Sequence, residues 1–166
     1  MCVLPGRRAG RALLALLIEQ CEKNSRQLIP PRVVTPGAML EALLPAEGAV
    51  ADDFESTFAW AKALQQIDPQ TIKPLLSKPP VQSDALAWYG LASLIHRLHV
   101  ELAGARRSFA DVADQAQRLE MFGEAERWIA LQQVSAEYAR ILADCGLSDA
   151  QWARQAAVDR FAQSPA

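Results

Sequence analysis

The sequence predicts a mainly α-helical protein in which two short parallel strand-loop-helix units, a partial α/β core, are followed by a helical bundle. Two short apolar or β-branched runs each lead through a turn into helical spacing. From Ser83 onward the pattern is helical alone. A parallel pair needs more neighbouring strands than this chain supplies, so the sheet reads as incomplete. At 166 residues, 51% apolar and with a formal charge of −2, the chain can bury a real core. Neither disorder nor a strongly basic nucleic-acid module follows from these bulk values, so any contact with DNA must rest on a local patch.

Taken in order, Cys2-Val3-Leu4 is the first strand, broken by Pro5-Gly6, and the Leu/Ala spacing from Arg8 to Cys21 suits a helix ended by Asn24-Ser25. Pro30-Pro31 precedes the second strand, Arg32-Val33-Val34. Thr35-Pro36 then reads as an N-cap followed by a proline at the first helical position, opening a helix through Leu44. After a loop from Pro45 to Ala51, the residues Phe54, Phe58, Ala61 and Leu64 or Gln65 keep helical spacing up to Asp68-Pro69. Asp52, Asp53 and Glu55 open that helix with negative charge suited to its dipole. Four prolines between Pro69 and Pro80 predict a short helix within a long connection. Trp88, Leu91, Ile95, Leu98 and Leu102 then form one stripe, Ser108 caps a shorter helix, and Trp128, Leu131, Val134, Tyr138, Ile141 and Leu142 form another. Gly146 closes that last helix, and Ser148 with Gln151 predicts a capping box for the final one.

The three cysteines, Cys2, Cys21 and Cys145, are an odd number without a CxxC pair, which argues against a disulfide framework or a structural zinc site and for reduced cytoplasmic thiols. The apolar run from Ala12 to Ile18 behind Arg7 and Arg8 is short. It continues into Glu19-Gln20-Cys21-Glu22, not into a small-residue cleavage site, so it reads as a helix and not as a secretory signal. No apolar stretch reaches the length of about 20 residues that spans a bilayer.

The sharpest local feature is Pro5-Gly6-Arg7-Arg8-Ala9-Gly10-Arg11. Glycines after a strand let the backbone approach a ligand, free amides at a helix start favour anions, and three arginines offer forked donors for phosphate oxygens. The GxxxxGK[ST] pattern is absent, which excludes a nucleotide P-loop here. The plainer reading is a solvated helix start whose Gly10 allows close helix-sheet packing. His96 and His99 lie three apart on a helix, a spacing compatible with metal ligation, but no third ligand converges and no HExxH is present, so no metal is expected. No GxSxG elbow or paired carboxylates with a base stand out, and Cys145 beside Gly146 reads as a packed residue. No catalytic residues are assigned. Arg106-Arg107 could touch a phosphate backbone or simply suit the end of a helix.

Read together, three stretches resemble superfamily 1 DNA helicases, and within them the degenerate AddB-like helicase-nuclease proteins of the PD-(D/E)xK nuclease superfamily. Val3-Leu4-Pro5-Gly6-Arg7-Arg8-Ala9-Gly10-Arg11-Ala12-Leu13 looks like the family's counterpart of helicase motif Ia. Val33-Val34-Thr35-Pro36-Gly37-Ala38-Met39-Leu40-Glu41 resembles motif Ib. Arg127-Trp128, Tyr138, Leu142, Gly146-Leu147 and Asp149 look like the run that closes the helical insertion of the first motor domain. The resemblance implies a partial helicase-like α/β core over residues 1–50 and a helical insertion-type subdomain over 51–166. It also implies that the nucleotide loop lies before this chain, and that the acidic Mg²⁺-binding strand and the nuclease domain lie after it. The chain itself would then hold no cofactor, ATP and Mg²⁺ belonging to the parent protein. Arg7, Arg8, Arg11 and Thr35 would contact the DNA backbone. Pro5-Gly6-Arg7-Arg8 departs from the Thr-Asn-Lys type of active helicases and is more like the degenerate copies, which implies lost motor function.

Two functions compete on these residues. One is the non-catalytic N-terminal segment of a DNA double-strand-break repair and recombination helicase-nuclease, guiding single-stranded DNA beside the rest of its polypeptide or an AddA-like helicase subunit. The other is a stand-alone helical protein-interaction module with no DNA role, suggested by the two Trp-bearing amphipathic helices. A metal hydrolase built on His96 and His99 is a distant third.

Overall fold

The computed structural model describes residues 1–119 and 123–163. The last three positions of the expected 51–166 segment, and the side chains at 40 and 41 in the second resembling stretch, lie outside the described residues. The chain forms two compact units: Met1–Pro45 with the residues from Arg160, and Ala46–Asp159.

In the first unit, β1 (Cys2–Val3) leads through Pro5-Gly6 into α1 (Arg7–Lys23), and β2 (Val33–Val34) leads into α2 (Pro36–Leu43). The strands are parallel, Cys2 opposite Val33 and Val3 opposite Val34, with the Leu4 N–H donating to the Val34 carbonyl at 2.9 Å. Gly10, the one buried residue of α1, lies so close to β2 that a Cβ there would meet Val33 Cγ1 at 3.0 Å. Helix-sheet contact thus explains this glycine. Asn24-Ser25 ends α1 as expected: Ser25 turns left-handed at φ 50°, and the Ser25 and Arg26 N–H groups donate back to Glu22 and Cys21 carbonyls at 3.1 and 2.9 Å. That pair of bonds is the Schellman closure of a helix.

The second unit contains β3 (Ala49–Val50), α3 (Asp53–Gln66), α4 (Pro69–Ile72), α5 (Ala85–Gly104), α6 (Phe109–Arg118), α7 (Ala125–Asp144), β4 (Leu147–Ser148) and the start of α8 (Ala150–Gln163). α3 packs on α5 and α7, and α6 on α7, around Trp60, Leu64, Phe109, Val134, Tyr138 and Leu142. Most of the Trp128 to Leu142 stripe enters this core as its period predicts, with Leu131, Val134, Tyr138, Ile141 and Leu142 buried and Trp128 packed at the margin.

Four expectations are corrected, one of them at Cys145, which is exposed at the end of α7 and not packed. The loop from Pro45 to Ala51 contains β3, which pairs in parallel with β4, Ala49 opposite Leu147 and Val50 opposite Ser148. Two-residue strands carry no readable alternation, and this pair joins segments far apart in sequence. The final helix is capped by Asp149, not Ser148: Asp149 Oδ1 accepts from the Gln151 and Trp152 N–H groups at 2.9 and 3.0 Å. Lastly, the stripe that announces α3 enters the core only in part: Leu64 is buried and Ala61 packs against the core, whereas Phe54 and Phe58 are exposed, and Trp60 and Ala63 fill the core beside Leu64. Among the described residues, no helix is long and apolar enough to cross a membrane.

Candidate functional site

Parallel pairing delivers the two strand ends of the first unit to one edge. There β1 releases Pro5-Gly6 and the first turn of α1, and β2 releases Thr35 and the start of α2. Arg7 and Arg8 occupy that first turn and Arg11 follows one turn on, all three exposed; Thr35 is half-buried. Gly6 at the N-cap supplies no side-chain hydrogen bond, and no acidic residue sits in the first turn. The leading amides of α1 are therefore left without a side-chain acceptor. No salt bridge to Arg7, Arg8 or Arg11 occurs among the described residues. The edge can attract an anion through three guanidinium groups and the positive end of a helix.

The equivalent edge of the second unit is built in the opposite sense. β3 feeds α3 through Asp52, whose carboxylate accepts from the Glu55 N–H at 2.8 Å while Glu55 Oε2 accepts from the Asp52 N–H at 2.9 Å, closing a capping box. β4 feeds α8 through Asp149. Both helix starts are thus already occupied by the chain's own carboxylates.

Asp149 does more than cap. It is 2% exposed, His99 Nε2 donates to its Oδ1 at 3.1 Å, and the Tyr138 hydroxyl donates to its Oδ2 at 2.6 Å. Trp60 stacks on the Tyr138 ring with centroids 4.0 Å apart and planes 7° from parallel, and the Trp152 ring meets the His99 ring edge-on at 5.4 Å. Burial pushes the Asp149 carboxyl upward, but the hydrogen bonds from His99, Tyr138 and the Trp152 backbone outweigh it and hold the group below its ordinary value of 3.8. Burial, with the Asp149 bond second, raises the Tyr138 phenol, against the Ser56 hydroxyl, which acts in the opposite direction. Tyr138 is therefore a neutral donor and Asp149 an ionised acceptor. The trio ties α5, α7 and the start of α8 together in a closed, aromatic environment, which fits a structural role.

His99 was legible as a helical residue but not as the partner of Asp149, fifty residues away. Its place on the same stripe as Trp88, Ile95 and Leu102 is the signal that could have found it. His96 turns elsewhere, its Nε2 lying 3.8 Å from Asp53 Oδ1, so the two histidines serve different neighbours. Among the described residues no group of three or more His, Cys, Asp or Glu side chains could hold a metal ion.

A further surface feature is an open apolar groove of about 800 Å³ between α3 and α5, lined by Phe54, Phe58, Ala61, Leu86, Trp88 and Tyr89 among others. The Phe54, Phe58 and Tyr89 rings gather there with centroids 5.2 to 6.4 Å apart.

These features define a mainly α protein with two parallel strand pairs, one edge cationic and uncapped, the other closed by carboxylates. The chain matches no protein-family model, no curated protein and no solved structure.

Proposed function

We propose that this chain is the non-catalytic N-terminal segment of an AddB-like ATP-dependent helicase-nuclease, a cytoplasmic protein of DNA double-strand-break repair and recombination, in which it helps guide single-stranded DNA. The observation that carries the reading is the meeting of Arg7, Arg8, an uncapped helix start and Thr35 at one edge of the β1–β2 pair. Ligands of parallel sheets bind outside the carboxyl ends of the strands, which is this edge. Arg7, Arg8 and Arg11 neutralise backbone phosphates there, and Thr35 offers a hydroxyl to the same strand of DNA. The rest of the parent polypeptide, or an AddA-like subunit, supplies the motor with its ATP and Mg²⁺.

Binding of this kind is salt-sensitive and indifferent to base sequence. In fluorescence anisotropy with labelled single-stranded oligonucleotides, replacing Arg7, Arg8 and Arg11 by Ala is expected to weaken binding uniformly across sequences. The slope of log affinity against log salt becomes shallower by about 2, roughly 0.7 for each lost phosphate contact. Identical curves for the native chain and the triple variant at low salt would overturn the reading.

The second reading, a helical protein-interaction module without a DNA role, is favoured by the exposed aromatic groove on α3 and α5. A cooperatively melting chain without affinity for DNA is its expected signature.

A further inference from the structure

Phe54, Phe58 and Leu86 are 62%, 58% and 82% exposed, although all three belong to helices that build the core of their unit. Clustered apolar exposure of this kind marks an interaction surface. Ala61 and Trp88 help line the groove, and the exposed Phe58 ring stands in its wall. A groove with an exposed ring in its wall can pack on a second copy about a two-fold axis, where each contact occurs twice.

The charges along α3 say which way the two copies run. Glu55 and Lys62 are seven residues apart, two helical turns and about 10 Å along the axis, so they lie on one line with Phe58 between them. Both are exposed. Lys62 acts through space on Glu137 but makes no salt bridge among the described residues. Glu55 uses Oε2 for the Asp52 N–H and has a second oxygen for another partner. A parallel pair of α3 helices would set Glu55 against Glu55 and Lys62 against Lys62. An antiparallel pair centred near Phe58 sets each carboxylate against the other copy's ammonium.

We propose that this face binds a second copy of the same chain, α3 running antiparallel to α3 of the partner across a two-fold axis near Phe58, with each Phe58 ring in the other copy's groove and Glu55 opposite Lys62. The proposal deepens the second reading by naming the partner. It uses none of the residues assigned to DNA, so anisotropy and molecular mass report on the two separately.

Sedimentation velocity over a wide range of concentration is expected to give a species of twice the 18.2 kDa chain mass. Phe58→Asp, at an exposed position, leaves the melting of dilute protein unchanged and weakens association by about tenfold or more. Glu55→Lys and Lys62→Glu each weaken association alone, whereas an equal mixture of the two variants restores it, because the mixed dimer regains opposite charges at both contacts. Glu55→Gln, which retains an acceptor for the Asp52 N–H, weakens association without the loss of the helix cap and separates charge from folding. A native chain that stays monomeric at every concentration overturns the proposal. So does a dimer indifferent to Phe58→Asp, or a mixture no tighter than its components. A monomer that instead takes an amphipathic peptide in the groove assigns the face to a different protein.

Discussion

Asp149 accepts four hydrogen bonds with two oxygens, from His99, Tyr138, Gln151 and Trp152, and each donor would be left buried or uncapped without it. Asp149→Ala is therefore expected to cost about 3–5 kcal/mol, the range for removing one partner of a buried pair. Urea unfolding measures this, and a loss under about 1 kcal/mol would show that the network relaxes or fills with water. The same residue sets a pH dependence. Its folded carboxyl lies below the ordinary 3.8, so the stability it contributes is fully present above that value. It is lost as pH falls through the lower, folded value. The native chain should lose more stability on acidification below about pH 4 than Asp149→Asn does, because the variant has no carboxyl there to titrate. Parallel acid titrations of the two proteins would refute this.

At the scale of elements, the connections after helices α1 and α5 each turn on a left-handed residue that is not glycine. Ser25 closes α1 at φ 50°, and Arg106 closes α5 at φ 54° while its guanidinium reaches Asp159 at 2.6 Å. Arg106 has a side-chain partner to offset its strained backbone. No hydrogen bond from the Ser25 side chain occurs among the described residues. Ser25→Gly should accordingly stabilise the chain by about 0.5–1 kcal/mol, since glycine adopts this conformation without a Cβ penalty. A lower denaturation midpoint for that variant would mean that the hydroxyl contributes more than the backbone strain costs. The helix starts divide in the same local way. α3 and α6 carry capping boxes, from Asp52 with Glu55 and from Ser108 with Asp111, and α1 carries none. α7 also starts without a side-chain cap, but only the α1 start gathers Arg7, Arg8 and Arg11, which is why the DNA reading rests on it.

For the whole molecule, each unit has one two-stranded parallel sheet, and neither sheet has a third strand among the described residues. Isolated pairs of this length contribute little by themselves. In the second unit, helical packing around Trp60 and Tyr138 supplies the core, and the β3–β4 pair orients the starts of α3 and α8. Self-association through α3 links stability to protein amount, because a dimer of folded chains draws on the folded state alone. The melting temperature of the native chain should rise with concentration, and that of Phe58→Asp should not. Equal dependence in both, measured by scanning calorimetry, would count against the α3 pairing.

The sequence by itself determined the helices, their approximate ends and the helix-rich class, because the 3.6-residue apolar period, the Asn24-Ser25 and Gly146 stops and the first two strand-to-helix turns are local signals. It also singled out Arg7, Arg8, Arg11 and Thr35 by residue type and spacing. Only the tertiary structure decided which apolar residues of α3 are buried. The stripe of Phe54, Phe58, Ala61 and Leu64 marks the helix, but that Leu64 and its neighbour Trp60 are buried while Phe54 and Phe58 stay exposed is set by the partners α5 and α7. The tertiary structure likewise paired Ala49 with Leu147 and His99 with Asp149, contacts between distant segments that no local period encodes, since parallel pairing and buried hydrogen bonds are satisfied only once the intervening helices have packed.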